Sequence, residues 1–279
     1  MNQSNNAAEI LKSKKLFVFD LDGTVYLGDR IFSEAVKFIN DLRESGRRVL
    51  FFTNNASHKH EFYIHKLTRA GFSPTSEEIM TAGDVTASYI TKAHAGEPLY
   101  LFGSTELWED FRDHGIRLVN DANGKLISDE PAKIVVTSFD TELTFEKLRI
   151  ACDFIRNGAT YLCTHPDFNC PVEGGFIPDS GAIAAAVTAS TGVKPEFFGK
   201  PSAMTADMIC HMTATAKEDI CIVGDRLYTD IATGTKNGIT AMLVLTGEST
   251  LADVDALADE DKPNIIVRDL AEAGELVFE

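Results

Sequence analysis

Short apolar runs rich in β-branched and aromatic residues alternate with longer amphipathic segments along almost the whole chain, and this alternation restricts the fold more than any other feature. The runs are "LFVFDLD", "RRVLFFTNN", "PLYLFG", "AKIVVTSF", "ATYLCTH", "DICIVGD", "TAMLVL" and "NIIVR". Continuous apolar strands separated by helix-like sequence predict an α/β fold with a parallel sheet covered on both faces. After the first run, "SEAVKFINDLRESG" sets Ala35, Val36, Ile39 and Leu42 on one helical face and places Gly46 to end the helix.

With 279 residues, 44% hydrophobic and 24% charged, the chain has material for one large domain or two moderate ones. Boundary candidates are the turn-rich stretches "TAGD" (81–84) and "EGGFIPDSG" (173–181), where Gly, Pro and Asp cluster. The piece between them is itself βαβ-like. The expected organisation is a discontinuous core, 1–80 and 180–279, with an insert over 81–179.

A net charge of −16 with no compensating basic run argues against nucleic acid as a partner. Five cysteines, odd in number and never spaced C-x-x-C, argue against a disulfide framework or a zinc site and fit a reducing cytoplasm. The first residues lack a signal-peptide apolar core, and no apolar run approaches the roughly 18 residues that span a membrane. A cytoplasmic protein without membrane contact is expected.

Four strand ends carry polar clusters: "DLDGT" (20–24), "TNNAS" (53–57), "GKPS" (199–202) and "GDRLYTD" (224–230). Ligands of parallel α/β sheets bind outside the carboxyl ends of the strands, so these clusters can assemble at one rim. Asp20 and Asp22, two apart on an extended strand, point the same way, and with Asp225 they suit a hard cation such as Mg²⁺. Thr53 and Asn54 add neutral donors, and Lys200 adds a charge that binds phosphate. In this arrangement Asp20 attacks phosphorus, forming an aspartyl-phosphate, while Asp22 protonates the leaving alkoxide and then activates water. Asp230 also reads as an acid in the first turn of a helix, and Ser202 as a helix cap.

Other features read as structural. His58, His60 and His65 in "HKHEFYIH" are expected on a solvated surface, and Met204, Met208 and Met212 as a core stripe. His165 in "THPDFN" ends an insert strand beside turn residues and is a candidate for touching substrate.

The ordered set "FDLDGTVYLG", "FFTNNAS", "FFGKPS" and "IVGDRLYTDI" resembles the haloacid-dehalogenase superfamily of phosphatases, in particular its NagD and 4-nitrophenylphosphatase branch, from about residue 14 to 250. The resemblance implies a Rossmann-like core with a large α/β cap inserted between the second and third motifs. It implies Asp20 as nucleophile and metal ligand, Asp22 as acid/base whose main-chain carbonyl meets Mg²⁺, and Asp225 as the remaining carboxylate ligand. Thr53 and Asn54 would hold the phosphate, Lys200 would orient it, and Asp230 would lie one shell out. The acid at position 22 favours phosphoryl transfer over dehalogenation. "THPD", where many relatives have "TNPD", places His165 where that branch faces its substrate. The implied activity is Mg²⁺-dependent hydrolysis of small phosphate monoesters, nucleotides or sugar phosphates among them, with a homodimer compatible with the branch. The alternatives are a phosphotransferase or mutase of the same superfamily, or a non-enzymatic phospho-acceptor domain.

Overall fold

The computed structural model describes residues 2–28, 30–172 and 174–279, with side chains from residue 6 onward. Glu173, at the edge of a stretch read as a boundary, lies outside the described residues. The strands, in chain order, are β1 (Leu16–Phe19), β2 (Tyr26–Leu27), β3 (Arg30–Ile31), β4 (Arg48–Thr53), β5 (Ile79–Thr81), β6 (Leu99–Phe102), β7 (Ile134–Thr137), β8 (Thr160–Cys163), β9 (Asn169–Val172), β10 (Gly175–Pro178), β11 (Glu196–Phe197), β12 (Ile220–Gly224), β13 (Thr240–Val244) and β14 (Ile265–Val267).

The chain divides into two compact units. The first comprises 1–53, 63–80 and 200–279 and holds a six-stranded sheet in the order β14-β13-β12-β1-β4-β5. Strands β14, β13, β12, β1 and β4 pair in parallel, with Phe19 opposite Val223 on one side and Phe51 on the other. Every residue of β1 and β12 is buried, as strands covered on both faces require. Phe17 and Phe19 meet Phe38 edge-on at 6.0 and 6.1 Å between ring centroids. The helix Ser33–Glu44 buries Ala35, Phe38, Ile39 and Leu42, so Phe38 takes the place expected for Val36, which is only half-buried. The short hairpin β2–β3 follows the first motif directly.

The second unit comprises 54–62 and 81–199, with a parallel four-stranded sheet in the order β11-β8-β7-β6 and the antiparallel hairpin β9–β10. Its core gathers Tyr100, Phe102, Val135, Ile150, Ile155 and Tyr161 with Ile183 and Val187 of the helix Ser180–Thr191. Residues 180–199, which the sequence reading placed with the first domain, therefore pack with the second. Gly174, with φ +82°, precedes β10 in the β9–β10 hairpin of this unit.

Two side-chain expectations change. Met212 is exposed and Met204 and Met208 are half-buried, because the helix Ala203–Thr213 turns Thr205, Ala206 and Ile209 inward instead. Only His65 of the three neighbouring histidines is exposed. His58 lies 3.0 Å from Glu106 and stacks on Phe62, while His60 lies 2.8 Å from Asp84, whose hydrogen bond raises the imidazole pKa. Among the described residues no helix is long and apolar enough to cross a membrane.

Candidate active site

In the first unit, β1 stops where Asp20 leaves the ladder, its N–H donating to Val223 C=O at 2.9 Å. Its carboxylate meets Lys200 Nζ at 2.5 Å, and Lys200 also lies 2.6 Å from Asp230 Oδ1 and donates to Phe52 C=O at 3.2 Å. The ammonium is nearly fully buried between the two acids. Burial alone would lower its pKa, but Asp20 and Asp230 outweigh burial and raise it, so Lys200 stays charged. Burial drives the pKa of Asp20 well up, with Lys200 opposing and Asp230 and Asp225 adding to the rise.

Asp225 follows β12 and is buried. Burial first, and Asp230 second, push its pKa up to about 7. The loop after β13 wraps it: Glu248 N–H donates to Asp225 Oδ2 at 2.7 Å, and Ser249 N–H to its main-chain carbonyl at 3.2 Å. Gly247 leaves no room for a side chain, since a Cβ there would sit 2.0 Å from Asp225 Oδ2. The segment Leu227–Ile231 is a π-helical turn, a local distortion common at functional sites, and Arg226 N–H donates to Asp230 Oδ2 at 3.2 Å. The Arg226 guanidinium lies 3.0 Å from Glu248. Sequence reasoning missed this loop, "TGES" (246–249), although a glycine beyond a parallel strand's carboxyl end is a signal for close backbone approach.

Oxygens of Asp20, Asp225 and Asp230 all lie within 4.8 Å of one another. Asp225 Oδ1 is buried, and among the described residues no donor reaches it. Crowded, all-oxygen acids with an unsatisfied buried oxygen fit a hard divalent cation. Asp230, expected one shell out, contacts Lys200 directly.

Asp22 sits one turn outward, its side chain 36% exposed, where the chain folds back so that Gly23 N–H donates to Tyr26 C=O at 2.7 Å. Lys66 Nζ lies 4.0 Å from its carboxylate and 3.7 Å above the Tyr26 ring. Burial raises the pKa of Asp22 and Lys66 partly offsets the rise. A carboxyl raised in this direction holds its proton more readily than an ordinary one, as a general acid requires. Thr53 is buried at the end of β4.

The remaining candidates belong to the second unit. Asn54 is buried and its Nδ2 donates to Asp167 Oδ2 at 3.1 Å. His165, expected to face substrate, has no exposed surface. Its Nδ1 lies 3.6 Å from Asp167 and its Nε2 3.4 Å from Asp179. Neither aspartate was singled out from the sequence. An acid next to a turn proline, as in "HPD" and "PDSG", reads by default as turn chemistry.

Two family models match the chain, a haloacid dehalogenase-like hydrolase over residues 17–117 and a HAD-hydrolase-like model over 197–273. An acid sugar phosphatase of Staphylococcus aureus is 36% identical over 244 residues, 88% of this chain and 91% of that protein. The crystal structure of 4-nitrophenylphosphatase from Thermotoga maritima superposes with a TM-score of 0.87 at 37% identity, covering 95% of this chain and 98% of that one. NagD from Escherichia coli K-12 superposes with a TM-score of 0.82 at 26% identity, covering 93% and 98%. On these matches the chain belongs to the haloacid dehalogenase-like hydrolases, in their NagD and 4-nitrophenylphosphatase branch.

Proposed function

We propose that the protein hydrolyses small phosphate monoesters through an aspartyl-phosphate on Asp20, with Mg²⁺ held by Asp20, the main-chain carbonyl of Asp22 and Asp225. The observation that carries this reading is Lys200 buried between Asp20 and Asp230, at 2.5 and 2.6 Å, beside the unsatisfied oxygen of Asp225. A carboxylate that holds a lysine permanently charged is poised to meet a second anion on that lysine. When bound, the cation would offset charge on the phosphoryl oxygens and so open phosphorus to an anionic nucleophile.

The chain's own residues supply the rest. Asp20 attacks phosphorus in line with the departing oxygen, and Lys200 holds the phosphoryl oxygens, aided by Thr53 and Asn54. Asp22 gives its proton to the leaving alkoxide, then takes one from the water that cleaves the acyl phosphate. Asp230 keeps Lys200 pointed at the transferring group. Losing one such preorganised charge typically costs about 3–4 kcal/mol of barrier, roughly 10²–10³ in rate. Residues 81–179, read as an inserted cap, are assigned to leaving-group selectivity, because the motif residues meet only the phosphoryl group that all candidate esters share. Sugar phosphates head the candidate list on the strength of the acid sugar phosphatase relative.

The test is a panel of phosphate esters, 4-nitrophenyl phosphate included, with purified protein and Mg²⁺. Many turnovers per enzyme support hydrolysis. A single stoichiometric release without turnover supports a phospho-acceptor instead, and phosphate appearing on a second organic molecule supports a transferase or mutase.

A further inference from the structure

The sequence reading turned His165 toward substrate, yet its imidazole is wholly buried and lies between two nearly buried carboxylates, Asp167 and Asp179. Each ring nitrogen faces one carboxylate at ion-pair distance, so a protonated ring would offset both acids. The cluster is tied to the backbone on both sides. Asp179 Oδ1 accepts from Ser180 N–H at 2.6 Å at the start of the helix Ser180–Thr191, and Gly181 N–H donates to Asp167 C=O at 2.7 Å. Gly181 packs so tightly on this loop that a Cβ would sit 2.2 Å from Pro166 O. The same Asp167 Oδ2 that lies 3.6 Å from His165 Nδ1 accepts from the Asn54 amide at 3.1 Å.

We propose that His165 is a positioning residue: by clamping the Asp167 carboxylate against Asp179 it fixes the orientation of Asn54, and so tunes the reaction for every substrate rather than selecting among them. This rests on the reading of Asn54 as a phosphoryl-binding residue. Removing the imidazole takes away one of the groups facing the Asp167 carboxylate, and a turn of that carboxylate would carry the Asn54 amide with it. Misplacement of a positioning group by about 1 Å can cost on the order of 10²-fold in rate.

The experiment is a double-mutant cycle on the full chain with Mg²⁺, using His165→Gln, Asn54→Ala and their combination. 4-Nitrophenyl phosphate, a hexose phosphate and a nucleoside monophosphate serve as substrates. His165→Gln is expected to lower kcat about ten-fold for all three esters alike, and the double variant to fall no further than Asn54→Ala alone, within about three-fold. Asp179→Asn, which keeps shape and removes one charge, provides the same cycle should His165→Gln not fold, with a smaller but equally uniform and non-additive loss expected. A loss confined to one ester would mean that His165 meets the leaving group, and multiplicative losses in the double variant would mean that it acts independently of Asn54. Either result overturns the inference while leaving the hydrolase reading intact. If Asn54→Ala itself has wild-type kcat, the assignment of Asn54 falls, and the inference with it.

Discussion

Removing the metal should make the protein's stability fall as pH rises, and adding Mg²⁺ should cancel the fall. Asp225 rises from the ordinary carboxylate value of 3.8 to about 7 through burial and the nearby Asp230. A group whose folded pKa is raised supports folding fully below its unfolded pKa and loses that support as pH climbs through the folded value. For Asp225 the loss therefore runs from about pH 4 to pH 7 and is complete above it. Between pH 5 and pH 8 the change covers two pH units at about 1.4 kcal/mol each, or about 3 kcal/mol. For a chain of this size that corresponds to about 5–10 °C in Tm. Asp20, raised in the same direction, adds to the effect. Mg²⁺ binds the ionised acids, so its stabilisation should grow over the same window. The assay is thermal unfolding at pH 5, 6, 7 and 8, in chelator and in excess Mg²⁺, for the wild type and Asp225→Asn. His60, also raised, loses support in the same direction, but it should respond neither to Mg²⁺ nor to the Asp225 substitution. A chelated wild-type Tm that is flat or rises from pH 5 to 8, or an Mg²⁺ gain independent of pH, would refute the reasoning.

Asp20→Asn keeps the shape of the nucleophile but not its charge. Turnover should drop below detection with the circular-dichroism spectrum unchanged, and substantial residual activity in the folded variant would remove Asp20 from its role. Gly247→Ala forces a Cβ into the Asp225 carboxylate and should lower kcat/KM on the order of 10²-fold, whereas a near wild-type value would show that the loop after β13 yields freely. Lys147, buried in the second unit with Nζ 2.9 Å from Asp140 and 3.0 Å from Gly103 C=O, compensates a carboxylate with no exposed surface. Lys147→Met should cost about 3–5 kcal/mol in urea unfolding, and a loss under about 1 kcal/mol would contradict that pairing.

The parts of the architecture most legible in the sequence were those carried by uninterrupted apolar runs. β1, β4, β12 and β13 each match such a run, because strands buried on both faces have no polar alternation to confuse the pattern. Asp20, Lys200 and Asp225 could be grouped from the sequence because each lies in a polar cluster beyond a strand end, although the strand before Lys200, β11, belongs to the other sheet. Contacts supplied by backbone were not legible. The grip of Glu248 N–H on Asp225 depends on no side-chain type, and only Gly247 hints at it. The burial of His165 was hidden for another reason. "THPD" looks like an exposed turn until the helix at Ser180, read as part of a different domain, brings Asp179 to its second face. The Met204–Met208–Met212 periodicity was real, but the face of Thr205, Ala206 and Ile209 is the one turned into the core.

The most direct test of the central claim uses Asp22→Asn. This variant lacks the base that releases phosphate from Asp20, while 4-nitrophenolate departs without an acid's help. After mixing with 4-nitrophenyl phosphate and Mg²⁺ and quenching in acid, peptide mass spectrometry should find one phosphoryl group on Asp20 together with a stoichiometric burst of 4-nitrophenolate. A burst with no adduct on Asp20, or undiminished turnover without any adduct, would contradict a covalent mechanism in which Asp20 attacks and Asp22 resolves.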